Sequence, residues 1–146
     1  MGYHLEKLTE ACHKAGLRVT HQRLEIYRAL TETDAHPAAE SVYQQVRDRL
    51  PTISLDTVYR TLATLADIGA ISRMDVAGER ARFDGNIAPH QHFVCDRCGR
   101  ILDFPWEAFD SLSIPAEASK IGRISARNAV LRGICRDCES AESRMN

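Results

Sequence analysis

Apolar positions recur with helical spacing four times before residue 84, and beyond it the period shortens to that of strands. Leu5, Leu8, Cys12 and Ala15 form the first inward stripe, with Gly16 placed to stop that helix. Thr20 is suited to cap a second helix whose buried stripe is Leu24, Tyr27 and Leu30. Pro37 fits the first turn of a third, which turns Ala39, Val42 (or Tyr43), Val46 and Leu50 inward and ends at Pro51. Ser54 caps a fourth, SLDTVYRTLATLADIG. Val58, Leu62 and Leu65 of this helix face a core, and Thr57, Arg60, Thr61 and Thr64 form an outer face expected to carry no acid.

Two strand-like runs follow, AISRMDV and RARFD, joined through Ala77, Gly78 and Glu79. Helices followed by such a hairpin suit a winged helix-turn-helix with the hairpin as wing, and the same pattern suits a plain helical bundle with a solvated polar face. After Asp84, HFVC and RILDF read as strands flanking a tight C-D-R-C-G-R turn. PWEAFDSLSIPAEAS contains a short helical piece, RISARNAVLRGIC is strand-like, and the closing ESAESRMN is polar and expected to fray. No repeat, low-complexity tract or long linker interrupts the chain. The expected class is α+β, with a winged-helix domain over 1–84 and a small α/β domain over 85–146.

Composition narrows the setting. An apolar content of 44% in 146 residues supports one ordinary domain or two small ones. No window approaches the length of a membrane span, and MGYHLEKLTEACHK lacks the apolar run of a signal peptide, so a cytosolic protein is expected. Lys and Arg total 19 against 20 Asp and Glu, nearly balanced on both sides of residue 84, so any affinity for DNA must come from local placement of basic groups.

In a reducing compartment the five Cys read as metal ligands rather than disulfides. Cys95 and Cys98 form one C-x-x-C pair and Cys135 and Cys138 another, and two such pairs complete a tetrahedral structural Zn²⁺ site. Cys12 stands apart on an apolar stripe, as a core residue does. The histidines pose a separate question. His90 and His92, two apart in a strand, point the same way as a chelating pair, and Asp103 lies on the partner strand across the turn. Asp84 closes the hairpin and His36 precedes Pro37, so one metal can draw donors from both halves of the chain. Each of these residues also suits ordinary surface or cap chemistry, and spacing alone leaves a second metal site open.

The blocks GLRVTHQR, HPAAESVY, SLDTVYRTL, RFD, HQHFVCDRCG and CRDC, in this order and spacing, resemble the ferric uptake regulator (Fur) family of metal-dependent bacterial repressors over nearly the whole chain. The resemblance implies an N-terminal winged helix, a C-terminal dimerisation domain and a homodimer that binds a palindromic operator in double-stranded DNA when metal-loaded. It also implies that His36, Asp84, His90, His92 and Asp103 form the regulatory site and the four paired cysteines a structural zinc site. Tyr59 and Arg60, with Thr57 beside them, are implied as major-groove contacts and Arg18 as a phosphate or minor-groove contact. By its position on the helix, Tyr59 suits core packing as well.

Members of the family respond to different signals. Asp stands at both 84 and 103, where iron-sensing members typically carry Glu at the first, and three imidazoles with two carboxylates suit Fe²⁺ or Mn²⁺. In this the chain resembles the peroxide-responsive (PerR) branch, which implies release of DNA after iron-catalysed oxidation of His36 and His90. A further His-rich site of many members is weakened, because Pro89 and Gln91 replace ligands and SARNAVL has no His. Against this, the fourth helix reads VYR as in iron-responsive members, which keeps an iron-availability repressor as the alternative, ahead of a zinc- or manganese-responsive one. An enzyme, for instance a small metal-dependent hydrolase, needs a carboxylate or His free as general base, and each plausible acid here is already wanted as a ligand.

Overall fold

A computed structural model describes residues 5–75, 79–88, 90–124 and 126–145. The chain divides into two compact units, residues 1–87 and 88–146.

The first unit is built from α1 (Leu5–Lys14), α2 (His21–Thr31), α3 (Ala39–Val46) and α4 (Leu55–Asp67), followed by β1 (Ser72–Met74) and β2 (Arg82–Asp84). Thr20 caps α2 by accepting from the Arg23 N–H, and Ser54 caps α4 through the Thr57 N–H, as their residue types lead one to expect. Leu8 and Cys12 of α1, Ile26, Tyr27 and Leu30 of α2, Val42 and Val46 of α3, and Val58, Leu62 and Leu65 of α4 form the core. Cys12 is accordingly a packed core residue. β1 and β2 pair antiparallel with Ser72 opposite Asp84. Ala77 and Gly78 of the expected wing turn lie outside the described residues, as does part of the AISRMDV run.

Several expectations need correction. Leu5 and Ala15 are exposed rather than inward, because the face of α1 that meets the core is Leu8 and Cys12 with Ala11 at its edge. Leu24 and Leu50 are half-buried at its edge. Pro37 is not in the first turn of α3: Ala38 is the N-cap, and the Pro37 carbonyl accepts from the Phe83 N–H at 3.0 Å, tying it to β2. Pro51 does not end α3, which stops at Val46 and is followed by a turn in which the Arg49 and Leu50 N–H groups both donate to the Val46 carbonyl, at 3.0 and 2.9 Å. Nor is the outer face of α4 free of acid. Asp56, one turn before Arg60, is exposed and pairs with it at 3.0 Å.

The second unit holds a three-stranded sheet in the order β4-β3-β5, from β3 (Gln91–Cys95), β4 (Ile101–Phe104) and β5 (Val130–Gly133). β3 and β4 are an antiparallel hairpin with His92 opposite Asp103, and β5 returns parallel to β3 with Cys95 opposite Gly133. Two short helices, α5 (Glu107–Asp110) and α6 (Ala116–Ile121), replace the single helical piece expected there. From the run 123–135 only Val130–Gly133 becomes strand, and Ser125 lies outside the described residues. The closing segment, expected to fray, is helical as far as it is described. It forms α7 (Arg136–Met145), anchored to the turn after β3 by Arg97–Glu142 at 3.2 Å and Arg100–Asp137 at 2.9 Å. Among the described residues no helix is long and apolar enough to cross a membrane.

Candidate functional site

The four paired cysteines converge inside the second unit. Cys95 ends β3, Cys98 lies in the following turn, Cys135 follows β5 and Cys138 lies in the first turn of α7. The parallel β3–β5 register is what brings the two pairs together. Gly99 takes φ +74, a left-handed conformation that costs an L side chain about 1–2 kcal/mol and lets the turn after Cys98 close. The sulfurs of Cys95 and Cys138 are 3.9 Å apart and those of Cys98 and Cys135 3.8 Å, with all four within 4.8 Å of one another. A tetrahedron with Zn–S bonds of about 2.3 Å has S···S edges of about 3.8 Å.

Electrostatics point the same way. N–H groups of Cys98 and Cys135 aim at the Cys95 sulfur, at 3.5 and 3.3 Å, and bring its pKa down to about 6. The Cys138 thiol, bonded to its sulfur neighbours, Cys135 foremost, and further disfavoured by burial, is pushed up to about 12. Four thiols this close cannot all ionise side by side, whereas a dication among them stabilises every thiolate. Arg97 and Arg100 stand near enough for the thiolates to raise their own pKa values, after the larger effects of Glu142 and Asp137. The donor set fits a structural zinc ion.

The His and Asp candidates fall into two sets, one in each unit. In the first, His36 Nε2 lies 3.2 Å from Asp84 Oδ2, with both side chains buried. His36 has φ +53, rare outside glycine, and β2 surrounds it with restraints: Arg82 donates to the carbonyls of His36 and Ala35, and the Phe83 N–H holds Pro37. The other Asp84 oxygen accepts from the Asn86 N–H at 2.8 Å. Gly85 between them is tightly placed, since a Cβ would meet the Leu30 backbone and Thr31 at 3.1 Å and those neighbours would have to give.

In the second unit, His92 Nε2 lies 3.3 Å and His90 Nε2 3.6 Å from Asp103 Oδ1, and the two imidazole nitrogens are 3.1 Å apart. His90 stands just before β3 rather than in it, yet its ring still converges on that of His92, with centroids 4.7 Å apart. Gln91 turns the opposite way and is buried. Its amide donates to Asp110 at 3.3 Å and its carbonyl accepts from the Ala129 N–H at 2.7 Å, so it serves as a brace between segments. Pro89 lies outside the described residues.

The expected DNA-binding residues lie on the surface of the first unit to different degrees. Arg60 is exposed on α4. Tyr59 is 43% exposed, which excludes the core-packing alternative, and its hydroxyl donates to Glu40 of α3. Thr57 is half-buried, with its hydroxyl accepting from Ser54 at 2.9 Å. Arg18 is exposed after α1, its carbonyl bound by Arg23 at 2.8 Å. Sequence reasoning assigned nothing to Glu40, Arg80 or Arg82. Arg82 lies within the quoted RFD block, but only the fold shows that its guanidinium closes on the His36 loop.

A sequence model of the Ferric uptake regulator family matches residues 14–121. The peroxide-responsive repressor PerR of Staphylococcus epidermidis is 31% identical over 137 residues, covering 94% of this chain and 91% of that protein. Among solved structures, the Helicobacter pylori ferric uptake regulator Fur superposes with a TM-score of 0.71 at 22% identity, over 92% of this chain and 91% of that one. PerR from Streptococcus pyogenes, in a structure describing peroxide sensing and gene regulation, gives 0.52 at 28% identity over 91% of each chain. The H. pylori likeness speaks for the fold, an N-terminal winged helix followed by an α/β unit. The match of the family model and the extent of the PerR identity go further: the chain belongs to the ferric uptake regulator family and is a metal-responsive transcriptional regulator, not an enzyme.

Proposed function

We propose that this chain is a cytoplasmic repressor that binds a palindromic DNA operator as a homodimer and releases it when hydrogen peroxide oxidises its own metal ligands. Residues 1–84 are the DNA-binding part and 85–146 the dimerising part. His36, Asp84, His90, His92 and Asp103 are the ligands of one regulatory Fe²⁺ or Mn²⁺, distinct from the zinc held by Cys95, Cys98, Cys135 and Cys138. The observation that carries the reading is the donor set: three imidazoles and two carboxylates, already gathered into one set per unit, with Asp at 84. Such borderline and hard donors suit iron or manganese, whereas the four thiolates suit a permanently held zinc. The likeness to peroxide-responsive repressors supports the choice of signal.

Iron(II), when bound, supplies the electron that starts peroxide reduction, and manganese(II) does not readily do so. The chain contributes the oxidisable groups. One oxygen atom of peroxide passes into a ring C–H bond of His36 or His90 and the other leaves as water, the ring giving up two electrons overall and so returning the one that iron would lend. An oxidised ring is a poorer ligand, so metal that favoured the DNA-competent state is lost and the operator is released. Arg60 and Tyr59 of α4 read the major groove with Thr57 beside them, and Arg18 holds backbone phosphate or the minor groove.

Exposed apolar groups of the second unit support self-association. Leu102 of β4 and Leu131 of β5, in one row with Phe93, are each about two-fifths exposed on one face of the three-stranded sheet, which a second copy would cover.

The test is a stoichiometric pulse of H₂O₂ on Fe²⁺-loaded protein under anaerobic conditions, followed by digestion and mass analysis of the peptides holding His36 and His90. A gain of one oxygen on either, with loss of operator binding, is expected, and the Mn²⁺-loaded protein should gain none. Unmodified histidines with DNA binding intact would hand the case to an iron-availability repressor, a reading that Arg60 in the VYR motif favours. Disulfide formation at Cys95 and Cys98 with both histidines untouched would move the sensor to the thiolate site.

A further inference from the structure

Glu40 opens α3 at a point where three segments of the first unit meet. Its Oε1 accepts from the Tyr59 hydroxyl of α4 and lies 2.9 Å from Nη1 of Arg80, which leads into β2. All three side chains reach the surface, Arg80 most of all. The Tyr59 bond foremost, then Glu40's own backbone N–H and Arg80, hold the Glu40 carboxyl below its ordinary range, and the same bond raises the phenol of Tyr59. At neutral pH the trio is therefore a carboxylate, a neutral phenol that donates, and a guanidinium.

A carboxylate beside a DNA-reading helix is unfavourable for DNA binding on charge alone, since it repels phosphate whatever the sequence. Its geometry offers a compensation. A tyrosine at the surface of a helix samples several rotamers, and selecting one on binding costs affinity. Here the choice is made beforehand, by a residue from a different helix. Arg80 offsets the carboxylate charge while leaving the other donors of its guanidinium turned to solvent, available to a phosphate.

We propose that Glu40 is a positioning residue that determines DNA specificity, fixing the Tyr59 ring outward on α4, with Arg80 beside it as a phosphate contact that does not depend on Glu40. The assignment rests on the DNA-binding reading above and adds to it two residues, one acidic and one basic, with opposite expected effects. Loss of Glu40 frees Tyr59 and removes a repulsive charge, so selectivity falls while affinity for arbitrary DNA holds or rises. Loss of Arg80 removes a phosphate contact, so binding weakens on every sequence and its salt dependence becomes shallower by about one charge.

The experiment uses the full chain with zinc in place and Mn²⁺ added. A duplex selected by this protein from a random-sequence pool is compared with a scrambled duplex of equal length, by fluorescence anisotropy at two salt concentrations. Glu40→Ala should lower the ratio of selected to scrambled affinity by about tenfold or more, with scrambled affinity unchanged or raised. Tyr59→Phe, which removes the donor and keeps the ring, should give the same loss, and the double variant should be no worse than either. Glu40→Gln keeps an acceptor for the phenol and should retain most of the ratio. Equal weakening of Glu40→Ala on both duplexes would mark a merely structural residue and overturn the proposal, as would an unchanged ratio or additive losses in the double variant. A wild-type protein that enriches no sequence from the pool would bring down the DNA-binding reading itself, an outcome distinct from selection that survives Glu40→Ala.

Discussion

The thiolate cluster and the histidine–carboxylate sets use metal-ligating residues in opposite ways. The first is complete within one unit, made of four identical soft donors within 4.8 Å of one another and clamped by ion pairs from β5 and α7. The second comes as two partial sets, His36 with Asp84 and His90 with His92 and Asp103, made of borderline and hard donors. A closed set of thiolates holds its ion as part of the fold. A partial set holds its ion weakly by itself, which is what a responsive site needs. On the function proposed above, the difference separates a metal that builds the protein from one that informs it.

The largest expected effect breaks the first side of this comparison. Cys98→Ser should abolish zinc binding and with it the cooperative unfolding of the second unit, since structural zinc contributes on the order of 10 kcal/mol to folding in small domains. Zinc analysis and a calorimetric scan decide it, and stoichiometric zinc in a normally folded variant would sink the assignment. On the other side, Asp84→Ala should leave zinc content untouched while lowering Mn²⁺ affinity at least about tenfold, or about 1.4 kcal/mol, and lowering metal-dependent DNA binding with it. Competition with a fluorescent chelator reads the affinity, and a simultaneous loss of zinc would show the two sites to be one system. Asp84→Glu sharpens the same point: metal should still bind, but peroxide should modify His36 and His90 more slowly than in the wild type.

Smaller effects test the surfaces. Arg60→Ala should cost about 1–3 kcal/mol on the selected operator if the arginine reads a base. An equal loss on scrambled DNA would make it a phosphate anchor instead, and part of the loss is masked because Arg60 is already paired with Asp56 before DNA arrives. Smallest of all, Gly99→Ala should lower stability by about 1–2 kcal/mol through the left-handed backbone at that position, with zinc retained, as a thermal melt in excess zinc would show.

The thiolate site was legible in the sequence because C-x-x-C spacing is itself a geometric statement, and Asp103 was legible because a hairpin across a short turn sets the register that puts it opposite His92. The helix caps at Thr20 and Ser54 followed from residue type in the same way. What escaped depends on partners distant in sequence. ESAESRMN has almost no apolar face, and α7 exists because Cys138 and two ion pairs anchor it. The left-handed backbone of His36 is imposed by Arg82 and Phe83, and nothing around His36 in sequence announces it. Glu40 carried no assignment until α4 and the approach to β2 placed Tyr59 and Arg80 against it. Asp56 is the exception, since a helical wheel already put it one turn from Arg60.

The parallel pairing of β3 with β5 has a consequence for how the molecule is made. Cys95 and Cys98 emerge early on a hairpin that can form by itself, but their partners arrive only after α5, α6 and β5 have been synthesised. Loop closure of this length is slow compared with the local contacts of a helical unit, so the first unit has time to fold while the thiols of the second are still bare. A chain interrupted before Cys135 carries half a ligand set and cannot retain the ion that completes its fold. Zinc capture thus waits on translation through both cysteine pairs.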